Sequence, residues 1–220
     1  MTLQELRNAQ YTGEWLTDAK AYFSKANCPA QDSAKQYLNG SAIRQDYLET
    51  ALRWISGRDG ISIETYMALH QLESSVAELW RYFDSVISWV KTIFPVYRKE
   101  MKGIEWGFLY NEYHGRTYDP KKMEERIVQL MSDEDVDNKK GIYPYLLGGN
   151  EKYLNIRAFP PTMKREAYER QGGLCRHCKQ PVAIEEMEAH HRIPWSEGGH
   201  TKADNCDMLC KPCHRNTFGK

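Results

Sequence analysis

Apolar and polar residues alternate with a helical period through the first 130 residues of this chain. Trp15, Leu16, Ala19, Tyr22 and Phe23 fall on one side of a segment from about residue 14 to 25, and that spacing predicts an amphipathic helix. Ile43, Tyr47, Leu48, Ala51, Leu52 and Ile55 predict a second over 43–56, ended by Gly57-Arg58-Asp59-Gly60. Ser62 is placed to cap a short helix through Leu69. The longest pattern runs over 74–101 on Val76, Leu79, Trp80, Phe83, Ile87, Val90 and Phe94, and Pro95 should kink or split it. Asp119 and Pro120 supply N-cap and first-turn chemistry for a helix to about Met131. Thr2, with Glu5 three residues on, fits a capping box before a helix over 3–10. The turn-forming residues Asn27, Pro29, Asp32, Ser33, Asn39, Gly40 and Ser41 predict a loop over 27–41. Residues 133–140 read as a charged connection, and 141–161 as irregular or short-stranded.

These elements describe a mainly α chain: a helical domain over 1–160, then a smaller domain over 161–220. Ala158-Phe159-Pro160-Pro161 is the expected linker, and no internal repeat is visible. Thr162 is expected to cap a helix through Arg170; Arg165 stands where a capping box would want Glu or Gln. Gln171-Gly172-Gly173 ends that helix. Trp54, Trp80, Tyr82, Phe83, Trp89 and Trp106 read as core, and the isolated His70 and His114 as surface or hydrogen-bonded core residues.

With 220 residues, 41% of them hydrophobic and 12% aromatic, the chain can bury a core and is not generally disordered. Its formal net charge of +0 excludes a global basic field, so any nucleic-acid contact must come from a local patch. Residues 161–220 hold ten Lys/Arg against eight Asp/Glu, leaving twenty against twenty-two before them, a split too small to mark a basic domain. No apolar run reaches the roughly 18–20 residues of a membrane span, and the first residues lack a signal-peptide core. A cytoplasmic location without membrane contact is expected. In that reducing setting, clustered cysteines read as metal ligands rather than disulfides.

Five of the six cysteines and five of the seven histidines fall in the last quarter of the chain, so the chemistry is concentrated there. Cys175-Arg176-His177-Cys178 and Cys210-Lys211-Pro212-Cys213 form two knuckles. Four thiolates give zinc a closed tetrahedral shell, which is a structural site. His177 could replace one sulfur, but the set is complete without it; Cys28 and Cys206 remain as free thiols. Between the knuckles a strand-like run, Glu186-Met187-Glu188-Ala189, leads to the adjacent His190 and His191. Adjacent strand residues face opposite ways, so two histidines at a strand end can take different jobs. Gly198-Gly199 permits a tight loop, Asn205 follows, and the clip returns His214 towards the histidine pair.

This arrangement resembles the HNH endonucleases, whose fold is the ββα-metal fold. The matching residues are Cys175, Cys178, His190-His191-Arg192-Ile193-Pro194, Gly198-Gly199, Asn205, Cys210, Cys213 and His214, about the last 45 residues. The resemblance implies that His191 is the general base, that His190 and His214 hold a catalytic divalent ion, and that Asn205 orients the base. Phosphodiester hydrolysis needs a nucleophile and charge neutralisation, and histidine is the side chain suited to a base near neutral pH. Many members carry Asp where this chain has His190; a second imidazole favours Mn²⁺, Ni²⁺, Co²⁺ or Zn²⁺ over Mg²⁺. Many also carry Lys where this chain has Thr217, so Arg192, Lys211, Arg215 and Lys220 become the candidate phosphate contacts.

A wider resemblance runs through Leu3-Gln4-Glu5-Leu6-Arg7-Asn8-Ala9, the stretch from Ser41 to Thr50, and Asn155-Ile156-Arg157-Ala158-Phe159. These look like later parts of bacterial proteins that join a ParB/sulfiredoxin-like nucleotide-hydrolysing domain to an HNH nuclease. Some of those are modification-dependent restriction enzymes of the GmrSD kind. The Asp-Gly-Gln-Gln-Arg motif of their front domain is missing here, so the chain is expected to match their helical middle and nuclease end. The expected function is a metal-dependent DNA endonuclease in phage defence or restriction, with structural Zn²⁺ and a catalytic divalent ion. RNA as substrate, and a homodimer or a separate NTPase or sensor partner, stay open. The alternative is a zinc-stapled DNA- or protein-binding module without catalysis.

Overall fold

The computed structural model describes residues 13–218, and the helix expected over 3–10 lies outside them. Ten α-helices and one two-stranded sheet form among the described residues, with short 3-10 turns between them. The chain divides into two compact units: one ends at Met131 and resumes over Lys139–Asn150, the other takes Ser132–Asn138 and Glu151 onward.

The first unit is helical throughout. Its helices are α1 (Glu14–Phe23), α2 (Pro29–Ala34), α3 (Asp46–Asp59), α4 (Ile63–His70), α5 (Ala77–Ile93), α6 (Trp106–Tyr113), α7 (Pro120–Ser132, its last residue counted with the other unit) and α8 (Ile142–Gly148). Two caps form as their residues require: Ser62 Oγ accepts from Thr65 N at 3.1 Å, and Asp119 Oδ1 from Lys121 N at 3.0 Å. α5 stops at Ile93, two residues before Pro95, and only a 3-10 turn at Lys99–Met101 follows, so the expected helix to 101 is shorter.

Three further expectations are corrected. The supposed loop at 27–41 contains α2, because Pro29 sits at a helix start, where its fixed φ helps, and Ala30 and Ala34 bury the inner face. The segment at 141–161 contains α8, which buries Ile142, Tyr143 and Leu147 and ends at Gly149 with φ 78°. Ile43 belongs to a 3-10 turn and is 69% exposed, outside the core that Tyr47, Leu48, Ala51, Leu52 and Ile55 of α3 enter. That core centres on Trp54, which stacks on Phe83 with centroids 5.9 Å apart and planes at 17°. The Trp54 indole donates to Glu105 Oε2 at 2.9 Å, so its one polar atom stays satisfied. Gly107 of α6 lies flat on the Trp54 ring, where any Cβ would collide.

The second unit carries the metal-rich stretch. Its helix α9 (Pro161–Arg170) begins one residue before Thr162, with Pro160 at the cap position, so the expected threonine cap is replaced by proline chemistry. β1 (Met187–His191) and β2 (Cys206–Cys210) pair antiparallel, Met187 opposite Cys210 and His191 opposite Cys206; α10 (Lys211–Phe218) follows. α9 packs on β2, and at its end the Gln171 side chain reads both backbone groups of Met208: it accepts from the N–H at 2.8 Å and donates to the carbonyl at 2.9 Å. The apolar cluster is small: Phe159, Ala167, Cys175, Met187, Cys206, Met208 and Leu209. The segment 132–138 joins this unit through a bridge between Val136 and Ile156 and a 2.7 Å bond from Arg157 N to Asp135 O. Among the described residues, no helix is long and apolar enough to cross a membrane.

Candidate active site

The two knuckles converge. The sulfurs of Cys175, Cys178, Cys210 and Cys213 all lie within 4.8 Å of one another, with Cys178 and Cys210 at 3.9 Å. Four sulfurs at about 2.3 Å from one zinc ion would stand roughly 3.8 Å apart, so the cluster fits tetrahedral zinc. Burial works against a thiolate at Cys175, but backbone N–H groups of Cys210, Cys178 and His177 aimed at its sulfur outweigh it and bring that thiol down to about 6. His177 stands beside the cluster, its Nδ1 3.6 Å from Cys213 Sγ. Cys28 and Cys206 are buried free thiols, and burial pushes Cys206 up to about 11.

β1 carries the histidine pair to the edge of a cavity of about 460 Å³. His190 meets the His214 ring edge to face, with centroids 5.6 Å apart and planes at 87°. His214 comes from the first turn of α10, directly after Cys213 of the four-sulfur cluster. Its Nδ1 lies 2.6 Å from Glu188 Oε2. Burial first, and then the His214 charge, hold His190 below the usual histidine value; Asp207, opposite His190 on β2, pulls the other way.

His191 makes different contacts. Its ring packs against Phe159 with centroids 4.3 Å apart, and its Nε2 lies 3.1 Å from Thr201 Oγ1. Burial lowers its proton affinity most, Asp135 raises it, and His190 lowers it further. The two adjacent imidazoles therefore have separate surroundings, one beside His214 and one beside Phe159 and Thr201.

Asn205 is buried, and its side chain staples the loop rather than the ring. Oδ1 accepts from Ile193 N at 2.8 Å, and Nδ2 donates to Ile193 O at 3.0 Å and His200 O at 3.1 Å. Asn205 is expected to bond His191, but these three bonds go to Ile193 and His200, and the side chain 3.1 Å from His191 Nε2 is Thr201. Gly199 sits in the same loop with its Cα against the Ile193 carbonyl, leaving no room for a Cβ.

The cations expected to meet phosphate are partly engaged. Arg192 pairs with Asp207 at 3.1 Å and Lys211 with Glu186 at 3.0 Å, while Arg215 is exposed; Lys220 lies outside the described residues. Arg157 and Lys164 line the histidine cavity together with Trp195, Ile156 and Ala158. Neither cation stands inside the metal-rich stretch, so motif spacing gave them no signal. Glu188 did have one: it stands two residues before His190, on the same face of a strand.

Residues 175–217 match the family model described as HNH endonuclease. The chain is also similar to the Type IV methyl-directed restriction enzyme EcoKMcrA of Escherichia coli (strain K12), 32% identical over 71 residues. That match covers 30% of this chain and 26% of the relative. No solved structure matches the chain. The zinc-type cysteine cluster, the ββα order of β1, β2 and α10, and the family match agree on one identity: residues 175–217 form an HNH endonuclease domain.

Proposed function

We propose that this chain is a metal-dependent endonuclease that hydrolyses DNA phosphodiester bonds in a restriction or phage-defence role. The observation that carries the reading is the sorting of three histidines around the end of β1: His190 and His191 line one cavity, His190 meets His214, and His191 is turned to Phe159 and Thr201. His191 takes a proton from the attacking water. A neutral imidazole is needed for that, and burial favours the neutral form. His190 and His214 would hold the divalent ion, with Glu188 fixing the tautomer of His214 through Nδ1. Two protein ligands leave positions open for phosphate and water; the bound ion supplies charge neutralisation on the phosphate and the leaving oxygen. Arg157 and Lys164 at the cavity wall are placed to meet flanking phosphates, ahead of Arg192 and Lys211, which would first have to leave their carboxylates. Asn205 supports catalysis by holding the loop between Ile193 and His200.

DNA as substrate and restriction as role are supported by the relative, a methyl-directed restriction enzyme by name. One such site cuts one strand, so a double-strand break requires a homodimer or two visits. The test is nicking of supercoiled plasmid with Mn²⁺, Mg²⁺, Ni²⁺ or Zn²⁺, beside a single-stranded RNA of matched length. Nicking is expected, with His191→Ala slower by about 10²–10⁴. Binding without cutting under every ion, or a His191→Ala variant as fast as the parent, sinks the proposal in favour of a zinc-stapled binding module.

A further inference from the structure

Thr201 is buried at 8% exposure, and both its N–H and its hydroxyl are hydrogen-bonded. Its N–H donates to Asp135 Oδ2 at 3.0 Å. Its hydroxyl donates to the Arg157 carbonyl at 3.1 Å. A carbonyl can only accept. A hydroxyl has one proton, so towards His191 Nε2, at 3.1 Å, Oγ1 must be the acceptor. That requires the proton of His191 to sit on Nε2 and leaves the lone pair on Nδ1.

The anchor behind Thr201 is also built. Asp135 is buried at 7% exposure, and the same Oδ2 that receives Thr201 N lies 3.0 Å from His200 Nδ1. Asp135 belongs to the segment 132–138, some sixty residues before the loop it holds, and Arg157 N bonds back to its carbonyl at 2.7 Å. Phe159 closes the ring from another side.

We propose that Thr201 is the positioning residue for His191, fixing its Nε2–H tautomer so that Nδ1 is the basic nitrogen, and that Asp135 holds Thr201 in place. The proposal rests on the reading of His191 as the base. A threonine suits the task because its hydroxyl accepts one bond and donates another, while its methyl group tolerates burial. A valine of the same shape would keep the packing and remove both bonds.

The test reads the tautomer and the chemistry separately, on the full chain loaded with zinc. Long-range ¹H–¹⁵N spectra of the side chain distinguish a protonated from an unprotonated ring nitrogen. In the parent, His191 is expected as Nε2–H with an unprotonated Nδ1, and Thr201→Ser is expected to match it in spectrum and rate. Thr201→Val is expected to give a tautomer mixture and a kcat lower by about 10–100-fold with KM for DNA unchanged, the size seen when a partner that orients a functional histidine is lost. Asp135→Asn is expected to show a weaker form of the same split. An Nδ1–H tautomer in the parent overturns the proposal even if Thr201→Val fails to fold, and so does a Thr201→Val variant with parental tautomer and kcat. A His191→Ala variant with parental activity overturns the base reading and the catalytic part with it, a failure that the tautomer spectrum distinguishes from the loss of the Thr201 contact.

Discussion

The Glu188 carboxylate stands 2.6 Å from His214 Nδ1, joining a strand residue to the first turns of the helix that follows the second knuckle. A carboxylate on Nδ1 keeps the proton there and turns the Nε2 lone pair into the ligating one. Strand period places Glu188 on the face of β1 that also carries His190, so one face would hold both a ligand and the support of another. Loss of such a support typically weakens metal affinity by about 10–100-fold. Glu188→Ala is expected to fall in that range for Mn²⁺ by calorimetric titration of the zinc-loaded chain, with Glu188→Gln in between. Parental affinity in Glu188→Ala would remove the carboxylate from the site.

Zinc should decide whether the C-terminal unit is folded at all. Its apolar cluster holds seven buried residues, two of them cysteines, Cys175 being a zinc-type ligand and Cys206 a neighbouring thiol. A core of that size leaves little margin, whereas a structural zinc site contributes about 10–16 kcal/mol in small metal-folded domains. Chelation at neutral pH is expected to erase the near-ultraviolet signal of Trp195, while the buried Trp54 and Trp106 keep theirs. A Cys210→Ser chain should behave like the chelated parent. Retention of the Trp195 signal after zinc removal would show that the small core suffices.

Asn205→Ala should cost stability and rate together. Three hydrogen bonds from one buried side chain hold Ile193 and His200, and at about 1 kcal/mol each their loss amounts to roughly 3 kcal/mol. The released loop leads directly to Thr201, so the His191 contact should loosen as well. Asn205→Asp keeps the acceptor for Ile193 N and loses both amide donors, and should fall between. Denaturant unfolding of the C-terminal unit followed through Trp195 measures the first effect and plasmid nicking the second. A destabilised Asn205→Ala with parental turnover would separate loop from chemistry.

Most of the cysteine and histidine arrangement could be read from spacing, because a metal shell demands fixed residue types at short intervals: Cys175, Cys178, Cys210 and Cys213 converge as expected. The support around it could not. Asp135 sits in what reads as a charged connection, and only the fold brings it to Thr201. The same limit produced the errors among the helices. Pro29 and Asp32 signal a turn or a helix start equally well, and the two buried alanines that settle the matter form too short a pattern to stand out. Helix α6 went unseen because Gly107 and the aromatic Trp106, Phe108 and Tyr110 lower its helix propensity; the packing of Gly107 on Trp54 overrides that.

The helical unit offers a prediction about acid. Arg98 donates to Glu124 Oε2 at 2.9 Å and to the second oxygen as well, a bidentate pair with side chains 20% and 26% exposed. That hydrogen bond, against the opposing effect of burial, holds Glu124 below its ordinary value of 4.5. A carboxylate whose folded value is depressed adds stability that is complete above the unfolded value. The contribution disappears as pH falls through the folded one. Glu124→Gln should therefore melt below the parent by about 3 °C near pH 6, for a pair worth about 1 kcal/mol. The gap should start to narrow once the pH drops under 4.5 and close further towards pH 3. Acid also strips zinc from the cysteine cluster, but it does so in both chains and cancels in their difference. Melting curves followed at 222 nm from pH 6 to pH 3 would check this, and a gap that holds constant or widens in acid would mean that Arg98 does not depend on the Glu124 charge.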